Sequence, residues 1–366
     1  MSLCNKSGIR RWGIAIVVFA VAGLVAAGCG SASDSGSRPG LQARGWVDQP
    51  VTFRAGGVTI YATFRHPNVQ TGEVPAALLI AGSGPTDRNG NSRLLPGPLD
   101  TLKTVAKWLS ADGVASLRYD KLGSGQTGVG RYAAHPQIGI GPFEQEATAA
   151  LSFVARQRGV DRSRLAVIGH SEGALFALLV ATGAAGPAPR VHALGLLEPL
   201  SLRYLDLIAK QIQARVSAAR RAGQITSSEA ANIERSLASA IKSLRTTGKV
   251  PPNLPDGLTT VLNPTTAKFL SQADRDDPAQ LAGRLARHLP VFVTCSDVDI
   301  EVTCAEVHHL LAGLAKARTN TDFVRLSGVD HVLKQDPSRS TASYTAPLPF
   351  SRQLQTGLRA FIEKNL

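Results

Sequence analysis

Charge is sparse in this chain of 366 residues, at 18% against 43% hydrophobic. That balance excludes a disordered protein and fits one large packed domain or two smaller ones. Aromatic residues are scarcer still, at 5%. The chain is basic, with 40 Lys and Arg against 27 Asp and Glu and a formal net charge of +13. Without interleaved aromatics or a recognition motif, that charge gives no reason to expect nucleic acid as a partner. No internal repeat is present, which excludes a repeat architecture. Residues 14–27 are apolar, but the run is too short for a comfortable membrane span. Cysteine is limited to Cys4, Cys29, Cys295 and Cys304.

The N-terminal segment is read as an export signal rather than as fold. Lys6, Arg10 and Arg11 precede the apolar run, which ends in Ala26-Ala27-Gly28-Cys29. This resembles a bacterial lipobox, with Ala26 where Leu or Val is usual and Val25 one place further back. Residues 1–28 are expected to be removed and Cys29 to carry lipid. An ordinary secretory signal and a retained anchor are the alternatives. Residues 29–45 are rich in Gly and Ser, a flexible tether by composition. The expected location is outside the cell, lipid-anchored to the outer face of the membrane. That compartment permits disulfides, so Cys295 and Cys304 are either bonded or two buried thiols. Losing Lys6, Arg10 and Arg11 with the leader leaves a basic chain, suited to an anionic lipid surface or merely well solvated.

From residue 51 the pattern is regular. Residues 51–54 and 58–64 read as a hairpin around Gly56-Gly57. Strands are then expected at 76–81, 114–118, 165–168, 191–197, 290–294 and 322–326. Helices are expected at 99–109, 143–156, 174–180, 304–317 and 354–363. Strands alternating with helices predict an α/β fold, a mainly parallel sheet covered on both faces. Residues 201–287 break the alternation. A helix is expected at 202–222, and Thr226-Ser227-Ser228-Glu229 reads as a capping box opening a second through residue 244. A third helical region runs to residue 286. These residues read as a helical insertion that would lie over the edge of the sheet where open α/β folds build their sites. Within residues 200–250, basic side chains outnumber acidic ones, Asp206, Glu229 and Glu234 being the acids.

Gly169-His170-Ser171-Glu172-Gly173 lies between an apolar strand and an apolar helix, the context of a nucleophile elbow. Ser171 is the candidate nucleophile. It requires a histidine base, and a carboxylate to orient that base. His331 follows the last expected strand, where open α/β sheets build sites. His192, His288, His308 and His309 sit in less suitable contexts. Asp299 is the first choice of acid, in the loop after the penultimate strand. Asp297 in the same loop is an alternative, with the fixing of the turn as its bland role. Glu198, at the end of the preceding strand, is the third candidate. A disulfide between Cys295 and Cys304 would pin this acid loop. An oxyanion needs two N–H donors. Glu172 N–H is one, and Ser83 N–H, in Gly82-Ser83-Gly84-Pro85, is the expected other.

Four separated motifs carry a resemblance. They are Ala81-Gly82-Ser83-Gly84-Pro85-Thr86-Asp87-Arg88-Asn89-Gly90, Leu117-Arg118-Tyr119-Asp120-Lys121-Leu122-Gly123-Ser124-Gly125, the elbow, and Asp330-His331-Val332-Leu333-Lys334. In this order they resemble bacterial α/β-hydrolases of the esterase and serine-aminopeptidase-like group. The resemblance covers residues 51–197 and 290–334. It implies an α/β-hydrolase fold with a helical cap after the sixth strand, a Ser-Asp-His hydrolase, and neither metal nor organic cofactor. The core is then residues 46–200 and 289–366, with the cap at 201–288. Ser296 stands where the group often has Gly, which keeps Asp297 and Asp299 both open, and Leu122 stands where Arg is common. The expected activity is hydrolysis of a small or lipid-like ester through an acyl-enzyme. A peptidase on the same triad, and a non-catalytic binding protein on the same fold, are the rival readings.

Overall fold

In the computed structural model, which describes residues 45–135 and 137–366, a two-residue turn sets the edge of the sheet. The leader, Cys29 and the tether through residue 44 lie outside the described residues. β1 (Trp46–Ala55) and β2 (Val58–Pro67) pair antiparallel in unbroken register from Trp46↔Pro67 to Ala55↔Val58. Gly56 and Gly57 close the hairpin with φ of 52° and 82°. Both values lie in the left-handed region, which glycine enters without a Cβ clash. Both strands run longer than the sequence pattern indicated. The added residues Asp48, Gln49 and Pro50 are exposed, so no alternation of apolar residues marked them.

Six more strands complete an eight-stranded sheet of order β1-β2-β4-β3-β5-β6-β7-β8. They are β3 (Val74–Ile80), β4 (Ala115–Tyr119), β5 (Val160–His170), β6 (Ala193–Leu197), β7 (Pro290–Ser296) and β8 (Asn320–Leu326). β2 meets β4 antiparallel, and every pair from β4 to β8 is parallel. The central strands are buried on both faces. Along β3, Leu78 and Ile80 enter one core while Ala77 and Leu79 enter the other, the two-residue period of a strand. The first core is completed by α2 (Gly141–Val154), α3 (Glu172–Ala181) and α9 (Cys304–Ala317). The second is completed by α1 (Thr101–Ala111) and α10 (Arg352–Asn365). α3 is buried along its length from Glu172 to Val180. A helix apolar on all sides must be enclosed, and α3 is enclosed directly behind the elbow.

Between β6 and β7 come α4 (Tyr204–Arg221), α5 (Ser227–Thr247), α6 (Asp256–Thr259), α7 (Pro264–Ala273) and α8 (Pro278–Ala282). Both halves of the Thr226 capping box are formed, and α5 ends at Gly248 with φ of 69°. The single third helical region expected from the sequence is instead three short helices. Asn263 caps α7 and Asp277 caps α8, each followed by a proline at the first helical position. Proline is preset for that position and cannot continue a preceding helix.

One buried carboxylate ties this insertion together. Asp274 accepts from Arg203 Nη2 at 2.7 Å, Arg245 Nε at 2.8 Å and the Leu205 N–H at 2.9 Å, joining α4, α5 and the end of α7. Asp274→Ala removes the partner of two guanidinium groups and one buried amide. Thermal unfolding should show a loss of roughly 2–4 kcal/mol. A change within 0.5 kcal/mol would contradict this assignment.

Candidate active site

The parallel strands all present their C-terminal ends to one edge of the sheet, and the candidate residues gather there. Gly82 and Ser83 follow β3, Lys121 follows β4, and Ser171 follows β5. Glu198 follows β6, Asp299 follows β7, and His331 follows β8.

Ser171 has φ 54° and ψ −121°, a backbone conformation strained for any residue with a side chain. Its neighbours permit it. A Cβ on Gly169 would collide with the backbone of Gly173, and one on Gly173 would collide with the carbonyls of Ile80 and Ala81. The turn is fastened from β6, since Ser171 N–H donates to Leu197 O at 3.0 Å and Leu200 N–H donates to Ser171 O at 3.1 Å. Ser171 Oγ and His331 Nε2 are 2.9 Å apart. The other ring nitrogen, Nδ1, is 2.7 Å from Asp299 Oδ2. Asp299 Oδ1 accepts from the N–H groups of Glu301 and Val302 at 2.7 and 3.1 Å.

The other two acid candidates lie elsewhere. Asp297 accepts from Gly328 N–H at 2.8 Å and Ser327 Oγ at 3.2 Å, pinning the acid loop to the loop that leads to His331. Glu198 is fully buried with φ of 44°. It accepts from Ser296 N–H at 3.0 Å and Thr294 Oγ1 at 3.2 Å, and lies against Asp299 rather than the imidazole. Cys295 and Cys304 are bonded, with Cα atoms 5.1 Å apart, and the bond closes the loop carrying Asp297 and Asp299.

Burial and charge act in opposite directions here. Burial disfavours a charged His331 ring, but the Asp299 carboxylate outweighs it and holds the imidazole above its ordinary 6.5. Burial likewise favours a neutral Asp299, yet His331 and the two amides hold that carboxyl below its usual range. Glu198 is pushed well above the carboxylate range by burial and by the neighbouring Asp299 charge, which favours its neutral form. Burial pushes Asp330, next to the imidazole, up to about 7.

Two residues escaped the sequence reading although both lie inside quoted motifs. His170 Nε2 donates to His331 O at 2.7 Å, and burial lowers its pKa to about 3, so a neutral ring clamps the backbone of His331. Lys121 is buried, and its ammonium donates to Gly82 O and to Glu172 Oε1, the latter at 3.0 Å. Ordinary positions in a pentapeptide and in a turn gave no signal of either contact.

Ser83 lies at the candidate oxyanion position. A Cβ on Gly82 would sit 3.3 Å from Ser171 Cβ, so this loop runs against Ser171. Among the described residues, neither Ser83 N–H nor Glu172 N–H has a protein partner. Two clefts meet at Ser171. One runs past Leu99, Leu102 and Val332. The other runs under α4, past Leu200, Tyr204, Leu207 and Ile208, with Glu172 and Glu301 at its wall. Glu301 is paired with Arg215 at 2.7 Å.

No family model and no curated protein matches the sequence. Solved structures do resemble it. Est1E from Butyrivibrio proteoclasticus with ferulic acid bound is 15% identical, with TM-score 0.52 over 86% of this chain and 98% of that one. The acetyl xylan esterase of Paenibacillus sp. R4 is 16% identical, with TM-score 0.52 over 89% and 90%. The α/β hydrolase GrgF of Penicillium sp. sh18 is 14% identical, with TM-score 0.52 over 87% and 99%. Similarity at this identity speaks for architecture, and with the strand order and crossovers above it establishes that the chain has the α/β-hydrolase fold.

Proposed function

We propose that this protein is a serine hydrolase that cleaves carboxylic esters through an acyl-enzyme. The observation that carries the reading is the unbroken contact chain Ser171–His331–Asp299, at 2.9 and 2.7 Å. Ser171 Oγ attacks the ester carbonyl while His331 Nε2 takes its proton. Asp299 holds Nδ1–H and stabilises the imidazolium that forms. The N–H groups of Ser83 and Glu172 receive the oxyanion. The tetrahedral adduct collapses, and His331 returns the proton to the departing alkoxide. Water, deprotonated by the same imidazole, then attacks the acyl carbonyl; the acyl–Oγ bond breaks, His331 returns the proton to Ser171 Oγ, and the acid leaves.

Ester is favoured over aminoacyl amide by the charges in the cleft. An aminopeptidase needs an unpaired carboxylate to receive the substrate's α-ammonium group. Glu172 is engaged by Lys121 and Tyr204, and Glu301 by Arg215. The similarity to esterases points the same way. A panel of nitrophenyl esters and aminoacyl anilides tests this. Esters should be turned over and anilides should not, and Ser171→Ala should lose at least about 10³-fold in kcat. Anilide turnover exceeding ester turnover would establish the peptidase instead.

Protonation sets the acid limb. His331 must be neutral to act as base, and its pKa lies above 6.5, so kcat/KM should fall as pH drops through a midpoint above that value. Asp299→Asn removes the charge that raises it. The limb should move to lower pH and kcat should drop by about 10⁴-fold. A limb that does not move would assign it to another group, with Asp330 the first to examine.

Export and anchoring through Cys29 belong to the same proposal and rest on the sequence. The Cys295–Cys304 bond fits an oxidising compartment. The proposed contact of the inserted helices with anionic lipid falls to only some of the basic side chains in residues 200–250. Arg203, Lys210, Arg215 and Arg245 are paired with acids, while Arg220, Arg221, Arg235, Lys242 and Lys249 are exposed and have no ion pair among the described residues. Metabolic labelling with a fatty acid should mark the wild type and not Cys29→Ala. Separately, Arg220→Glu with Arg221→Glu should weaken binding to anionic vesicles, and unchanged binding would remove the lipid contact.

A further inference from the structure

The peptide between Gly82 and Ser83 has two polar groups with two roles. Its N–H is the proposed oxyanion donor. Its carbonyl accepts a hydrogen bond from the Lys121 ammonium. In a trans peptide these groups lie in one plane and point in opposite directions, and no cis bond occurs among the described residues. Holding the carbonyl therefore fixes where the N–H aims. The same ammonium contacts Glu172 Oε1 at 3.0 Å, and Glu172 supplies the second donor N–H. A single buried cation thus bridges the two halves of the hole. Both side chains are nearly sealed from solvent, at 3% and 4% exposed. The other carboxylate oxygen of Glu172 accepts from Tyr204 Oη at 2.5 Å, and Tyr204 belongs to α4 of the inserted helices. Glu146 of α2 lies close enough to feel the ammonium, but burial pushes its carboxyl well above the usual range.

We propose that Lys121 is a positioning residue for the oxyanion hole, and that Glu172 and Tyr204 link its setting to the helical insertion. Three features are explained together. A lysine is buried beside the nucleophile, where an unpaired charge would be costly. A carboxylate occupies the residue after the nucleophile without facing an uncompensated ligand. A tyrosine of the cleft wall donates its hydroxyl to that carboxylate. A charged donor on the carbonyl also polarises the amide and strengthens its N–H as a donor.

The inference rests on the hydrolase reading above, and ester turnover by the wild type tests that reading separately. The test uses Lys121→Met combined with Glu172→Gln, which removes both charges and leaves neither unpaired. Loss of a direct oxyanion donor costs about 10²–10³ in kcat. Loss of its positioning should cost about 10–100-fold, with KM within about threefold. The readout specific to this role is a pair of inhibitors. A trifluoromethyl ketone, whose hemiketal oxygen occupies the hole, should bind weaker by the same factor as kcat falls. The matching secondary alcohol, which places no oxyanion there, should bind as to the wild type. Equal weakening of both inhibitors, or wild-type kcat, overturns the proposal. Tyr204→Phe, a milder change, should lower kcat about two- to tenfold at unchanged KM. If the double variant does not fold, Tyr204→Phe decides, and wild-type kcat there overturns the proposal. A wild type that hydrolyses no ester overturns the hydrolase reading and this one with it.

Discussion

The site depends on a backbone conformation that Ser171 holds against its own preference. A side chain at φ 54° and ψ −121° costs about 1–3 kcal/mol. The turn persists because surrounding structure leaves the chain no alternative. Gly169 lets β5 run under the start of α3, and Gly173 lets α3 begin against the end of β3. Hydrogen bonds to and from the Ser171 backbone, made by Leu197 and Leu200, close it from the third side. The result is a hydroxyl raised at the edge of the sheet and a helix start whose first N–H is open. Burial of α3 along its length makes the arrangement rigid.

Around that turn, four buried carboxyl groups are kept from disrupting one another. Like charges in a low-dielectric site cannot all persist. Asp299 remains ionised because an imidazole and two amides receive it. Burial and the Asp299 charge favour the neutral form of Glu198. Glu301 is answered by Arg215 and Glu172 by Lys121. One carboxylate, therefore, faces the ring of His331. The Cys295–Cys304 bond and the Asp297 contacts hold its loop at both ends. Asp297 and Glu198 thus support the acid that the geometry puts against the imidazole.

Legibility in the sequence followed the range of the interaction. The Gly56-Gly57 turn, the Thr226 capping box and the strand-turn-helix around Ser171 are local, and residue types within a few positions specify them. Asp299 stood first among three acids, but a sequence cannot rank carboxylates by distance to a ring 32 residues away. The full length of β1 was hidden because Asp48, Gln49 and Pro50 on this edge strand are exposed and carry no apolar alternation. The breaks at Pro264 and Pro278 were visible as letters, yet the caps before them were not weighed. Lys121 and His170 were hidden for a different reason. Each acts through a backbone carbonyl far along the chain, Gly82 for one and His331 for the other, and a carbonyl has no residue identity to recognise. Three of the basic groups of the inserted helices, Arg203, Lys210 and Arg215, are answered by acids that lie beyond residue 250, Asp274, Glu306 and Glu301.

The central claim is that the folded turn makes the Ser171 hydroxyl a nucleophile. Reaction with a fluorophosphonate, followed by peptide mapping, tests it most directly. The account predicts one adduct per chain, on the peptide containing Ser171, formed by the native protein and not by the urea-unfolded protein. An adduct on another residue, equal labelling of native and unfolded chains, or no labelling at all would contradict it.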